Sequence, residues 1–420
     1  MAEQENLSTT SLASQAWVQD PATVRVYEAL DTGPGSVRFV GGCVRNALLR
    51  IPVADVDLAT VHPPRAVVAR LEAAGIKAVP TGIEHGTITA VADHKAFEIT
   101  TLRKDVATDG RRATVAFTDD WTEDARRRDF TMNAIYLDRD GTLFDPVGGL
   151  ADLRARKVRF IGAPEDRIRE DYLRILRYFR FHTRYGEGEP DPDALKACAG
   201  LQDGIETLSG ERVQTELLKL LESDRAMLGL RLMAAAGILT RILPRAGNLE
   251  LAERLIVIES TQLFSSDPLL RLAALLEADE TRIASASERL KLSNAARDRL
   301  LATARDDHRM VSYLSMREIR RYLYRMGIQL FQDKAMLAWA ADPKPSNAVQ
   351  WRALIAIAET WQAPEFPLTG EQVIAAGVPK GPDVGRVLRE VEEWWIDSDF
   401  IDDELSVIER LKAVVQATVL

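Results

Sequence analysis

The feature that most narrows the fold is a strand-turn-helix-strand pattern between Val37 and Thr60, VRFVGGCVRNALLRIPVADVDLAT. The short run Val37 to Val40 reads as a strand and stops at Gly41-Gly42, and Val44 to Leu49 has helical character. Glycines at such a turn let main-chain N–H groups and the helix dipole approach a phosphate. Past Pro52, Ala54 to Thr60 reads as a second strand carrying Asp55 and Asp57, and residues two apart on a strand share a face. Paired carboxylates are unfavourable unless a cation neutralises them, and Mg2+ prefers oxygen ligands beside substrate phosphates. Either half alone is usually a tight turn or a solvated strand edge. Occurring in order within one unit, they point to metal-dependent chemistry on a nucleoside triphosphate.

At 420 residues the chain is long enough for two or more domains with proper cores. Its 46% hydrophobic content places it among soluble globular proteins. A net charge of -9 argues against a uniformly basic nucleic-acid binder, so a polyanion must dock on a local patch. Cys43 and Cys198 lack metal-type spacing and fit a reducing cytosol, hence a cytoplasmic location. The polar start MAEQENLSTTSLASQ has no signal-peptide core, and residues 1 to about 15 read as disordered. Ala226 to Leu243, the most apolar longer stretch, is interrupted by Arg231 and Arg241 and suits a core helix better than a membrane span.

The Gly-Gly and Asp-x-Asp stretch resembles the head motif of the class II nucleotidyltransferases, the family of bacterial CCA-adding enzymes and poly(A) polymerases. That motif, G-G-x-V-R-D-x-L-L-G followed by D-x-D, is met here by Gly41, Gly42, Val44, Arg45, Leu48, Leu49, Asp55 and Asp57. Asn46 and Arg50 depart from it, standing where the family commonly has Asp and Gly. The resemblance implies that Asp55 and Asp57 bind Mg2+ and that Gly42 and Arg45 hold the triphosphate.

Along the chain, Trp17 to Leu30 and Pro63 to Ala74 read as helices. His85 to Ala92 and Ala96 to Arg103 alternate as a hairpin around Asp93-His94-Lys95, and its second strand carries Glu98, the candidate third acid. Lys104 to Trp121, with Gly110, Arg111 and Arg112, reads as a long loop. DARRRDFTMNAIYLD then resembles the family's R-R-D-F-T-x-N-A, which implies that Arg128 and Asn133 contact the nucleotide; guanidinium forks suit triphosphate oxygens. Asp145, Pro146, Gly149, Asp152 and Leu153 match D-P-x-x-G-x-x-D-L and read as the way out of the head.

In PEDRIREDYLRILRYFRFHTRYG, Arg174, Arg177 and Arg180 fall three apart on one side of a helix above Leu173, Leu176 and Phe179. Glu170, Asp171 and Arg174 match the family's E-D-x-x-R. Cytosine and adenine both present an amine donor beside a ring-nitrogen acceptor, so a carboxylate and a guanidinium serve both and mismatch guanine and uracil. The resemblance assigns base selection to Asp171 with Arg174, and phosphate contacts to Arg177 and Arg180. In SGERVQTELLKLL, which resembles the E-R-x-x-x-E-L helix start, Ser209 reads as an N-cap, and Glu211, Arg212 and Glu216 as ion-pair buttresses of the base-reading helix. A later Gly-Pro turn feeds a helix at Gly385 that is either an RNA phosphate site or an ordinary cap.

The expected architecture is an α/β nucleotidyltransferase head with a mixed sheet, followed by an all-α neck, body and tail. Its boundaries are an N-terminal extension 1–26, head 27–160, neck 161–245, and body and tail 246–420. The implied activity is template-independent addition of CMP and AMP from CTP and ATP to the 3′ end of tRNA, with Mg2+. PTGIEHGTITAV resembles the CCA-type enzymes more than the polymerases. The alternatives are poly(A) addition, an inactive RNA-binding relative, and a glycosyltransferase using Asp-x-Asp for a nucleotide sugar.

Overall fold

The computed structural model describes residues 9–108, 113–244, 246, 249–305 and 308–419. The chain divides into two compact units, Met1–Pro244 and Arg245–Leu420.

The first unit opens with three helices, α1 (Thr9–Ala13), α2 (Ala16–Gln19) and α3 (Pro21–Leu30). The single helix expected over 17–30 is broken because the Asp20 carboxylate accepts from the N–H groups of Ala22 and Thr23 and Pro21 fixes the first turn. Val26, Tyr27 and Leu30 of α3 are buried, with Tyr27 against Phe39 of the sheet. The expected boundary after residue 26 therefore cuts through a helix of the core, and the expected disorder to about residue 15 gives way to helix from Thr9.

Strands β1 (Val37–Val40), β2 (Val56–Thr60), β3 (Lys77–Gly82), β4 (Thr87–Ala92) and β5 (Lys95–Thr101) join two later short strands, β8 (Tyr136–Leu137) and β9 (Leu143–Phe144), in one sheet. Its order is β3-β4-β5-β2-β1-β8-β9, with β2 and β5 parallel and the other pairs antiparallel. Helix α4 (Gly42–Leu48) connects β1 to β2, and α5 (Pro64–Ala73) connects β2 to β3. Asp93 and His94 both take positive φ, 49° and 63°, as a two-residue hairpin between β4 and β5 requires.

The segment expected to be a long loop after Lys104 is a second, two-stranded sheet, β6 (Arg103–Thr108) paired with β7 (Ala113–Phe117). Gly110, Arg111 and Arg112 lie outside the described residues. Threonine, valine and alanine flanking a polar tip satisfy a hairpin ladder as well as a loop, and the polar composition concealed it.

Helices α6 (Trp121–Arg126), α7 (Gly149–Arg154), α8 (Pro164–Glu170) and α9 (Leu173–Tyr185) carry the chain from the sheet into an all-helical region. There follow α10 (Pro192–Gly200), α11 (Gly210–Leu221), α12 (Ala226–Ala235) and α13 (Ile238–Ile242). In α9 the residues Leu173, Leu176 and Phe179 are buried beneath the arginines, as the spacing predicts. Ser209 stands at the N-cap of α11 but makes no side-chain capping bond.

The second unit is helical: α14 (Leu249–Thr261), α15 (Pro268–Leu275), α16 (Glu280–Leu290), α17 (Asn294–Ala304), α18 (Met316–Ala341), α19 (Ala348–Thr360), α20 (Gly370–Ala375), α21 (Pro382–Asp397) and α22 (Glu404–Val419). Arg271 and Glu259 form a buried pair at 2.6 Å, and Arg299 bridges Asp267 and Asp333. Within α18, Gly327 takes φ 77° and ψ 166°, a conformation open to glycine alone, and breaks the helix. Tyr324, before the break, packs on a cluster of Val373, Val387, Val391, Trp395, Val407 and Leu411. Phe331 and Asp333, after it, are buried elsewhere, Asp333 on Arg299. Helix α21 begins at Pro382, so Gly385 is one turn inside it rather than at its start. Among the described residues no helix is long and apolar enough to cross a membrane.

Candidate active site

Gly41 ends β1 at φ 74° and ψ −123°, which turns the chain sharply into α4. A side chain there would face Arg128 Nη1 and Asp57 Oδ2, each 3.9 Å from the Cβ position. The turn thus sets the main chain beside one acid and one guanidinium. Asp57 lies on β2, half-buried, and its register partner on the parallel strand β5 is Glu98. Register neighbours on adjacent strands project to the same face, so the two carboxylates are side by side. Asp55 is exposed and sits one residue ahead of β2, correcting the expectation that it lies on the strand.

The acids act on one another electrostatically. Burial pushes the Asp57 carboxyl up to about 6, Glu98 and Asp55 push the same way, and Arg128 and Arg45 oppose them. A carboxylate raised in this way beside two further acids is a set of hard oxygen donors that a divalent cation relieves. Among the described residues no three acidic, imidazole or thiol side chains are already gathered as a metal cage. The donor set therefore fits a cation whose remaining ligands come from water and phosphate oxygens, as Mg2+ customarily takes.

Arg128 is fixed from behind. Its Nε donates to Asp124 Oδ2 at 3.1 Å and its Nη2 to the same oxygen at 3.0 Å, and Tyr136 Oη donates to that oxygen at 2.8 Å. Arg127 Nη2 donates to Asp124 Oδ1 at 2.6 Å. Burial favours the neutral acid, but Arg128, Arg127 and Tyr136 overcome it and hold Asp124 down at about 2. One buried carboxylate thereby aims the arginine pair.

Arg45 is buried rather than open to solvent. It donates to Asn133 Oδ1 at 2.6 Å, to Asn46 Oδ1 at 2.9 Å and to Tyr185 Oη at 2.8 Å, and its guanidinium lies 4.2 Å from the centre of the Tyr185 ring. Asn133 donates in turn to Asp129 Oδ1, whose other oxygen accepts two bonds from Arg177, at 2.8 and 2.5 Å. Arg177 approaches Glu216 at 3.7 Å, and Arg180 meets the same acid at 2.5 Å. A continuous polar chain runs from the glycine turn through Asn133 into the arginine stripe of α9.

The base-selecting pair expected from the sequence is placed on adjacent elements, each member with its own partner. Asp171 follows α8 and accepts from Leu173 N–H at 3.1 Å and from Arg212 at 2.7 Å. Arg174 donates to Glu170 at 2.5 Å and to the carbonyls of Arg167 and Arg127. The buttressing expected of Arg212 and Glu216 is present, whereas Glu211 points to solvent from the first turn of α11. Asp124 and Tyr185 join the site without having been expected there, and Asp129, the acid of the R-R-D-F-T-x-N-A match, gains a role as the link between Asn133 and Arg177. The first was detectable: Asp124 precedes Arg127 and Arg128 by three and four residues, the spacing of helical ion pairs. Tyr185 carries no such local signal.

The chain resembles known proteins over most of its length. Residues 37–159 match the Poly A polymerase head domain, and residues 189–248 match the family described as the probable RNA and SrmB-binding site of polymerase A. Sheet, turn and acids accordingly define a nucleotidyltransferase of the polymerase-head class. The chain is 35% identical to CCA tRNA nucleotidyltransferase 1, mitochondrial, of Mus musculus, over 89% of its own length and 86% of that protein. It is 31% identical to the CCA-adding enzyme of Streptococcus gordonii, over 92% and 96% of the two chains. The solved Bacillus stearothermophilus CCA-adding enzyme in complex with CTP superposes with a TM-score of 0.78 at 26% identity, covering 96% of this chain and 99% of that one. The chain belongs to the family of CCA-adding tRNA nucleotidyltransferases.

Proposed function

We propose that this enzyme adds CMP and AMP from CTP and ATP to the 3′ end of tRNA, completing or repairing the CCA terminus. The observation that carries the chemistry is the register of Asp57 with Glu98 beside Gly41 and Arg128. The names of the relatives support CCA as the product. In this reading the glycine turn and Arg128 bind the triphosphate, with its α-phosphate near Asp57. Asp57, Asp55 and Glu98 hold the divalent cation, proposed to be Mg2+. Bound there, Mg2+ stabilises the charge that develops on the attacking and leaving oxygens during displacement of pyrophosphate by the tRNA 3′-hydroxyl.

Selection of the base is assigned to Asp171 and Arg174. Asp171 accepts from an exocyclic amine and Arg174 donates to a ring nitrogen, after exchanging their present partners Arg212 and Glu170 for the base. Asn133, Arg177 and Arg180 orient sugar and phosphate. Arg45, with most of its donors engaged by Asn46, Asn133 and Tyr185, supports the turn as well as the triphosphate. The domain roles are part of the same proposal: catalysis in the sheet region up to residue 160, with α3 part of its core, base and RNA contacts in 161–245, and tRNA contacts in 246–420. So is a cytoplasmic location, which rests on the two buried free cysteines, although the Mus musculus relative has a mitochondrial name.

Incubation of the protein with a tRNA transcript lacking CCA, together with all four nucleotides, tests the function. Addition of two C residues and one A is expected. Long A tails without C establish the poly(A) alternative instead.

A further inference from the structure

A cavity of about 560 Å³ opens behind the arginine pair, where the chain leaves the sheet region for α8. Its floor is apolar, with Val147, Phe160 and Ile161, and three arginines, Arg126, Arg159 and Arg167, stand around it. Arg126 and Arg159 stand outside the nucleotide site described above, while Arg167 borders it through its carbonyl and Glu170, both shared with Arg174. Gly162, at φ 77°, turns the chain along the cavity wall.

The charges are not equally committed. Arg167 is paired with Glu170 and donates to the Arg126 carbonyl at 3.0 Å, and Arg159 pairs with Asp152 at 3.3 Å. Asp166, the acid on the lining, is within 3.4 Å of Arg169. Arg126 is exposed and has no carboxylate within ion-pair distance among the described residues. Lys157 and Arg159 are both exposed on either side of buried Val158, in a segment without regular secondary structure that leads to the cavity lining. A basic rim thus continues past the cavity mouth, in a chain whose net charge is -9.

We infer that this cavity is a docking site for RNA backbone phosphates, separate from the nucleotide pocket. The inference rests on the proposed tRNA substrate. A single mononucleotide is satisfied by two or three donors, whereas charges extending beyond the cavity along Lys157 match a run of phosphates spaced along a strand. Guanidinium groups supply the bidentate, weakly hydrated donors that phosphate oxygens prefer. An unpaired Arg126 gains a partner on binding without first losing one.

The test measures fluorescence anisotropy of a labelled tRNA transcript lacking CCA, using the full chain and the variants R126Q and R126Q/R159Q. The double variant is expected to bind roughly tenfold more weakly at about 0.1 M salt, and its log Kd against log salt slope to fall by about two. R126Q alone is expected to give about half of each change on these logarithmic scales. The kcat at saturating tRNA and the KM for CTP are expected to stay at the wild-type values, which also verifies that the variants fold. Arg159 holds Asp152, so if the double variant loses kcat, R126Q alone decides. Unchanged Kd and salt slope in R126Q overturn the inference, as does a raised KM for CTP with unchanged tRNA binding, which makes the cavity a free-nucleotide site. A wild-type chain that binds tRNA while the variants bind equally well refutes only the cavity's role. A wild-type chain that binds no tRNA refutes the proposed function and this inference with it.

Discussion

Glu98 stands directly opposite Asp57 in the parallel pairing of β2 and β5. The two acids come from strands separated by a helix and a hairpin, and the register alone unites them. Asp57→Asn keeps the side-chain volume and removes the charge that a cation needs. Its expected effect is a loss of CMP incorporation of roughly 10³-fold or more, the rate equivalent of several kcal/mol of transition-state stabilisation. The tRNA affinity is expected to remain near wild type. Single-turnover extension and anisotropy measured side by side check this, and Glu98→Gln is expected to fall between the two.

Asp171 is presented by Arg212 at 2.7 Å, so its role in selection is separable from its role in chemistry. Asp171→Ala is expected to narrow the preference of CTP over UTP by about 10²-fold, because a lost acceptor no longer penalises the reversed donor pattern. Arg212→Ala is expected to act in the same direction and more weakly. Competition assays with paired nucleotides read out both variants. Unaltered discrimination in Asp171→Ala would remove the base-reading assignment.

Asp129 links Asn133 to Arg177, and its carboxyl is held below the usual carboxylate range: burial opposes ionisation, but Arg177 and Asn133 prevail. Asp129→Ala leaves a guanidinium facing a gap. The cost is expected to be about 2–4 kcal/mol, toward the lower end for a broken buried pair because Arg177 keeps part of its side chain in water. A denaturant titration of the purified variant measures it.

The acid limb of stability is expected to depend on Asp124. Its folded value of about 2 lies below an unfolded value of roughly 3.9, so its stabilising contribution is present above pH ~4 and is lost as the pH falls through 2. The difference corresponds to about 2–3 kcal/mol. Thermal melts between pH 5 and 2 are expected to show a steeper decline for wild type than for Asp124→Asn, which starts less stable. Parallel curves would mean that folding leaves the Asp124 carboxyl at its unfolded value.

What the sequence alone determined is what neighbouring residues dictate to one another. The Gly41-Gly42 turn, the Asp93-His94 hairpin and the buried stripe under the α9 arginines follow from φ requirements and periodicity within a few residues. Local patterning misjudged Asp55, because strand composition cannot say where pairing begins, and it misread the β6 and β7 hairpin as a loop. Tertiary structure decided the partners. Arg45 meets Tyr185 across 140 positions, and Asp57 meets Glu98, because packing brought together groups whose separation in sequence carries no periodic signal. The acids and arginines were therefore legible as residues, while the polar chain that joins them exists only once burial forces each charge and amide to find a partner.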